Sequence, residues 1–161
     1  MVSIEDLLSL FVETLDHELE QLAVLRFRFV VLASLLAADQ SLWLPMSVHE
    51  LQQATEELRL IDLRRAATAL GVTDACRLDA DSGLQRIAGR LDESWGELLH
   101  DRREELLEQV AHLQSVAEIT IAALGRRSAL VQEALDFVPK EPGGSYGGRP
   151  VSRAQIVQGT I

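Results

Sequence analysis

IEDLLSLFVETLDHELEQLAVLRFRFVVLASLL, residues 4–36, decides the fold. Its apolar positions Ile4, Leu8, Phe11, Leu15, Leu19, Leu22, Leu25, Phe29, Leu32 and Leu36 are joined by nine steps over 32 residues. That is about 3.6 residues per step, the period of one helix face. Ser3 stands where an N-cap belongs, with Asp6 in the first turn, and Asp39-Gln40-Ser41 offers turn chemistry where the pattern fades. One long helix is predicted.

The next stretch, SLWLPMSVHE at 41–50, places Trp43 between Leu42 and Leu44, just before Pro45. Ser47 and Glu50 match the S-x-x-E capping box, and Leu51, Ala54, Leu58, Ile61, Ala66 and Ala69 keep helical spacing up to Gly71. A second, shorter helix is expected there, with Gly71 as its C′ residue. The short loop makes the first two helices antiparallel neighbours. Trp43 then has a structural role, stapling onto the first turn of the second helix and plugging the bundle end, with a partner contact as the alternative.

Residues 72–91 are mixed: Asp79 to Gly83 is turn-like, and Leu84, Ile87, Ala88 and Leu91 hint at a short helix. From Asp92 a third pattern runs through Trp95, Leu98, Leu99, Leu106, Val110, Leu113, Val116, Ala117, Ala123, Leu124, Leu130, Val131, Leu135 and Val138, and Pro139 stops it. Trp95 opens this helix as a second structural aromatic. EPGGSYGGRP, residues 141–150, has the Gly/Pro content of a flexible tail. The expected architecture is all-α: a long antiparallel helical hairpin or three-helix coiled-coil bundle over residues 1–138, with a flexible tail at 139–161.

At about 1.5 Å per residue the three helices measure roughly 50 Å, under 40 Å and up to about 70 Å. In an up-down-up arrangement the third overshoots the Trp43 turn. The overshoot carries Leu124, Leu130, Val131, Leu135 and Val138, an apolar stripe fit for docking a partner helix or for self-association. A bent third helix, or residues 151–161 folded back over the stripe, is the alternative. The tail holds Lys140, Arg149 and Arg153 against Glu141, and the helical part twelve basic against twenty-four acidic residues, so the two can attract each other.

Composition narrows the function. Of the 161 residues 47% are apolar but only 4% aromatic, so the core is built mainly from Leu, Val and Ala. The net charge is −10, and six acidic residues precede the first basic one. Nucleic acid and anionic membrane are therefore disfavoured partners. Cys76 is the single cysteine, so no internal disulfide forms, and neither a signal peptide nor a long apolar span is read. A cytosolic protein is expected.

No catalytic or cofactor constellation emerges. Glu97 and His100 form one E-x-x-H, but a di-iron bundle needs a second copy and two further inward carboxylates. Glu104, Glu105 and Glu108 read as a solvated acidic run, and Cys76 has no neighbouring His to activate it. Neither an enzyme nor a metalloprotein is expected.

The order W43-L44-P45, H49-E50-L51, L58-R59, D62-L63-R64-R65-A66, A69-L70-G71, Leu84 and Ala88, W95 and D101-R102-R103 resembles the FlgN family of flagellar export chaperones across about residues 4–138. The Ser145-Tyr146-Gly147 element is also similar to the family's tail. The resemblance implies a cytosolic all-helical chaperone that binds hook-associated, hook–filament junction subunits through the C-terminal part of its last helix. It further implies docking of the loaded complex on the cytosolic domain of the export-gate protein FlhA. Leu124, Leu130, Val131, Leu135 and Val138 would then face the subunit. A homo-oligomeric coiled-coil adaptor using the same stripe for itself is the other reading.

Overall fold

The computed structural model describes residues 3–137, with the side chains of Leu130, Val131 and residues 133–137 outside the description. The fold is all-α: α1 is Ile4–Ala37, α2 Leu44–Cys76, α3 Leu84–Ala88 and α4 Glu93–Phe137. No strand occurs among the described residues. The described residues divide into two units, one that ends at Arg127 and one that begins at Ser128. The packing below belongs to the first.

α1 begins with a reciprocal cap. Ser3 Oγ accepts from the Asp6 N–H at 3.1 Å, and Asp6 Oδ2 accepts from the Ser3 N–H at 3.1 Å. Two otherwise orphaned helix donors are thereby satisfied. The helix closes with Asp39 in the left-handed region (φ 54), from which the Gln40 N–H turns back to Leu35 O at 2.9 Å.

The capping box expected at Ser47 and Glu50 does not form. α2 starts three residues earlier, at Leu44, with Pro45 in its first turn and no side-chain cap. Proline needs no N–H partner there and its fixed φ already suits a helix, so it sets the start. Ser47 is buried inside the first turn and Glu50 instead pairs with Arg28 at 2.7 Å. Gly71 does not end α2 either. The helix runs on to Cys76 because Val72 and Thr73 are fully buried, and it stops where Arg77 turns left-handed (φ 55).

Cross-helix ties fix the direction of each long helix. From α1 to α2, Glu18 meets Arg65, Gln21 meets Ala54 and Glu57, and Arg28 meets Glu50. One number rises while the other falls, so the two helices are antiparallel. From α1 to α4, Asp16 meets Arg102, Arg26 meets His112 and the Phe29 carbonyl meets Thr120. At the turn after α1, Ser41 and Asp39 meet Arg127. Three of these pairs share the same sequence separation of 86, so α1 and α4 run parallel and in constant register.

The buried face of α1 follows a heptad: Leu8, Phe11, Leu15, Glu18, Leu22, Leu25 and Leu32, with Phe29 half-buried between the last two. α4 answers with Leu99, Leu106, the half-buried Leu113 and Thr120, seven residues apart. Alternating steps of three and four are what a coiled-coil seam requires. Each leucine sealed there contributes about 1.5–3 kcal/mol of transfer free energy. The short α3 buries Ile87 in the same core, where Val72 of α2 also sits. Gly96, in the first turn of α4, lets the end of α3 approach: a Cβ at that position would lie 2.9 Å from the Ala88 carbonyl oxygen.

Candidate functional site

α4 is N-capped by Asp92, whose Oδ1 accepts from the Trp95 N–H at 3.0 Å. Trp95 is half-buried against the core formed by Leu8, Ile87 and Leu99. Polar ties to α1 accompany the leucine seam. Arg102 reaches Asp16 and Glu105, and Thr120 donates to the Val116 carbonyl at 2.8 Å with the Phe29 carbonyl 3.5 Å away. Arg127 Nη2 makes the final tie, 2.7 Å from Asp39 Oδ1 and 2.6 Å from Ser41 Oγ. It lies at the α1–α2 turn, so within the first unit α4 accompanies α1 along its length.

Of the five residues expected to face a partner, Leu124 is half-buried in the first unit. Leu130, Val131 and Leu135 lie on the backbone of α4, which is helical to Phe137, and their side chains are outside the described residues. Val138 is outside the described residues altogether. Upstream, Leu107, Ile119 and Ile121 are exposed apolar side chains of α4 that the helical pattern of the sequence passes over. Their signal was present as β-branched and leucine residues off the buried heptad.

Trp43 ends a 3-10 turn, Ser41–Trp43, and keeps 48% exposure. It is thus not sealed into the bundle end as a plug. Leu42 beside it is 80% exposed and Met46, one turn into α2, 54%. Proline-directed entry into α2 at Leu44 carries these side chains outward instead of stapling them beneath a later cap.

The catalytic and metal candidates stay dispersed. His100 Nε2 lies 3.2 Å from Glu104, one turn along the same exposed face. No group of three or more His, Cys, Asp or Glu residues is arranged to hold a metal ion among the described residues. Cys76 is half-buried in a small groove lined by Ile4, Leu8, Arg90 and Trp95.

Among the described residues, one buried acid is perturbed, and the apolar pattern passes over it by placing Leu19 on the core face. Glu18 occupies the buried heptad position instead and is only 8% exposed. Its Oε2 lies 3.3 Å from Arg65 Nε yet has no hydrogen-bond partner, and Arg65 also binds Asp62. Burial pushes the Glu18 carboxyl above the usual range, Arg65 pulls it back down, and Asp62 adds to the rise. Near Glu18, Gln21 Nε2 donates to the Ala54 carbonyl at 2.9 Å and to Glu57, so the middle of the α1–α2 seam is polar.

Among the described residues no helix is long and apolar enough to cross a membrane. No family model, curated protein or solved structure matches the chain.

Proposed function

We propose that this chain is a FlgN-type cytosolic export chaperone that holds a terminal helical segment of a hook-associated flagellar subunit. The reading rests on the ordered residues that resemble that family. The observation that carries it is the length of α4, a 45-residue helix that stays helical for ten residues after the Arg127 tie. Leu130, Val131 and Leu135 supply apolar residues at helical spacing in that part of the sequence, and Leu124 precedes them by about two turns. A subunit that assembles through amphipathic terminal helices is kept from premature assembly when such a face is covered. The loaded complex then docks on the cytosolic domain of the export gate. Binding, not chemistry, is the whole of the activity.

Size exclusion and calorimetry of the purified chain with a purified hook-associated subunit test this. A stable complex is expected, lost on truncation after Gly125 and weakened about tenfold or more, roughly 1.4 kcal/mol, by Val131→Asp or Leu135→Asp. Undiminished binding by all three would refute the assignment of the site.

A further inference from the structure

Among the described residues, Glu18 Oε2 on α1 and Gln109 Oε1 on α4 are both buried and both without a hydrogen bond. The packing of the two helices sets them at one level. Thr120 Oγ1 stands 3.5 Å from the Phe29 carbonyl, a contact between residues 91 apart in sequence on parallel helices. Leu15 and Leu106, and Leu22 and Leu113, keep that same separation, and all four are buried or half-buried. Glu18 and Gln109 keep it too. Each lies 11 residues before its counterpart in the Phe29–Thr120 contact. That is close to three full turns, so both residues fall on the face of their helix that makes the contact.

An ionised carboxylate and an amide oxygen both only accept, so neither satisfies the other, and unpaired buried acceptors are costly. One proton changes that. A protonated carboxyl has an O–H to donate, and the Gln109 side-chain carbonyl is free to accept it. The charged groups around Glu18 are already engaged. From α2, Arg65 lies 3.3 Å away but also holds Asp62, and Glu57 accepts from Gln21. From α4, Arg102 is held by Asp16 and Glu105. His17, next to Glu18 on α1, lines a separate groove with Glu57 and Arg64.

We propose that Glu18 and Gln109 form a proton-operated latch between α1 and α4: Glu18 takes up a proton and donates it in an O–H···O bond to Gln109 Oε1, and release of that proton opens the bond. Burial raises Glu18 above its ordinary 4.5, which sets the window. The latch is closed at and below that value and opens as pH rises through the raised folded one. It lies apart from the end of α4 and stands independently of any partner.

Carbon-13 NMR of the Glu18 and Gln109 side-chain carbonyls in the full chain, titrated between pH 4 and 8, tests the latch. In the wild type both signals should move with one midpoint. Gln109→Met keeps an unbranched side chain but removes the acceptor, and should lower the proton affinity of Glu18 about threefold or more. Glu18→Gln offers an N–H at every pH, so exchange of the amides of residues 106–113 at pH 7 should slow about threefold or more, and adding Gln109→Met should cancel the gain. Unlinked midpoints in the wild type, which need no variant to fold, overturn the proposal. An unchanged Glu18 titration in Gln109→Met shows that the two groups do not meet and overturns it. A raised proton affinity in that variant assigns Gln109 as a donor to the carboxylate and overturns it as well.

Discussion

Replacing Glu18 by leucine should stabilise the protein at neutral pH. Glu18 sits at a heptad position between Leu15 and Leu22, is almost fully buried and leaves Oε2 without a hydrogen bond. Leucine there gains about 1.5–3 kcal/mol of transfer free energy and removes an unsatisfied buried acceptor. The ion pair lost is a weak one, because Arg65 is 40% exposed and keeps Asp62 as its partner, so its removal costs about 1 kcal/mol or less. The net gain is about 1–3 kcal/mol near pH 7, or a rise in melting temperature of roughly 3–10 °C.

The gain should depend on pH with a defined sign. Glu18 is raised in the folded state, so the wild-type protein is relatively most stable when that group is protonated. It loses this advantage as pH rises through the folded value. The gap between Glu18→Leu and wild type is therefore widest at neutral pH, narrows as pH falls toward 4.5, the ordinary value, and flattens below it. Urea unfolding followed by circular dichroism between pH 4 and 8 measures the gap, and other carboxylates cancel in the difference. Destabilisation at pH 7 by more than about 1 kcal/mol, or a gap that ignores pH, would refute the reasoning.

Two glycines in α4 should behave oppositely. Gly96→Ala drives a Cβ to 2.9 Å from the Ala88 backbone oxygen and should cost about 1–3 kcal/mol, whereas Gly125→Ala meets nothing within 4 Å and should gain about 0.5–1 kcal/mol; thermal melts of both distinguish them. Ser3→Ala should lose about 1 kcal/mol of cap stabilisation, seen as faster amide exchange in the first turn of α1. Hydrogen bonds from Ser3 hold the Asp6 carboxyl below its ordinary value. Its contribution is present above 3.8 and fades as pH falls through the lowered value, so Asp6→Asn should differ from wild type at pH 7 and converge with it in strong acid.

Long periodic helices were legible because apolar spacing alone specifies them. α1 starts at the expected Ser3 cap and turns at the expected Asp39, and the short helix at 84–88 and the Asp92 start of α4 also emerge where the pattern put them. Competing local signals were harder to rank. Pro45 and the Ser47/Glu50 pair both announce a helix start three residues apart, and the proline prevails because it needs no cap. Gly71 signals an ending, yet burial of Val72 and Thr73 outweighs it.

The heptad in α1 assigns the core position to Glu18 and leaves Leu19 half-buried, a choice that hydrophobicity alone makes the other way. The exposure of Leu60 and Leu63 on α2 escaped for a related reason. Two apolar faces on one helix merge in a linear pattern, and only packing against α1 separates Ile61 from Leu60 and Leu63. The end of α4 is legible as a helix from its spacing, while apolar periodicity alone carries no signature of the partner proposed for it.

Hydrogen exchange of the full chain, alone and saturated with a purified hook-associated subunit, tests the capture of a partner most directly. Slowed exchange concentrated in the amides of residues 124–137, with α1 and the first half of α4 unchanged, is the predicted result. Protection confined to other elements, with residues 124–137 exchanging as in the free protein, would contradict it.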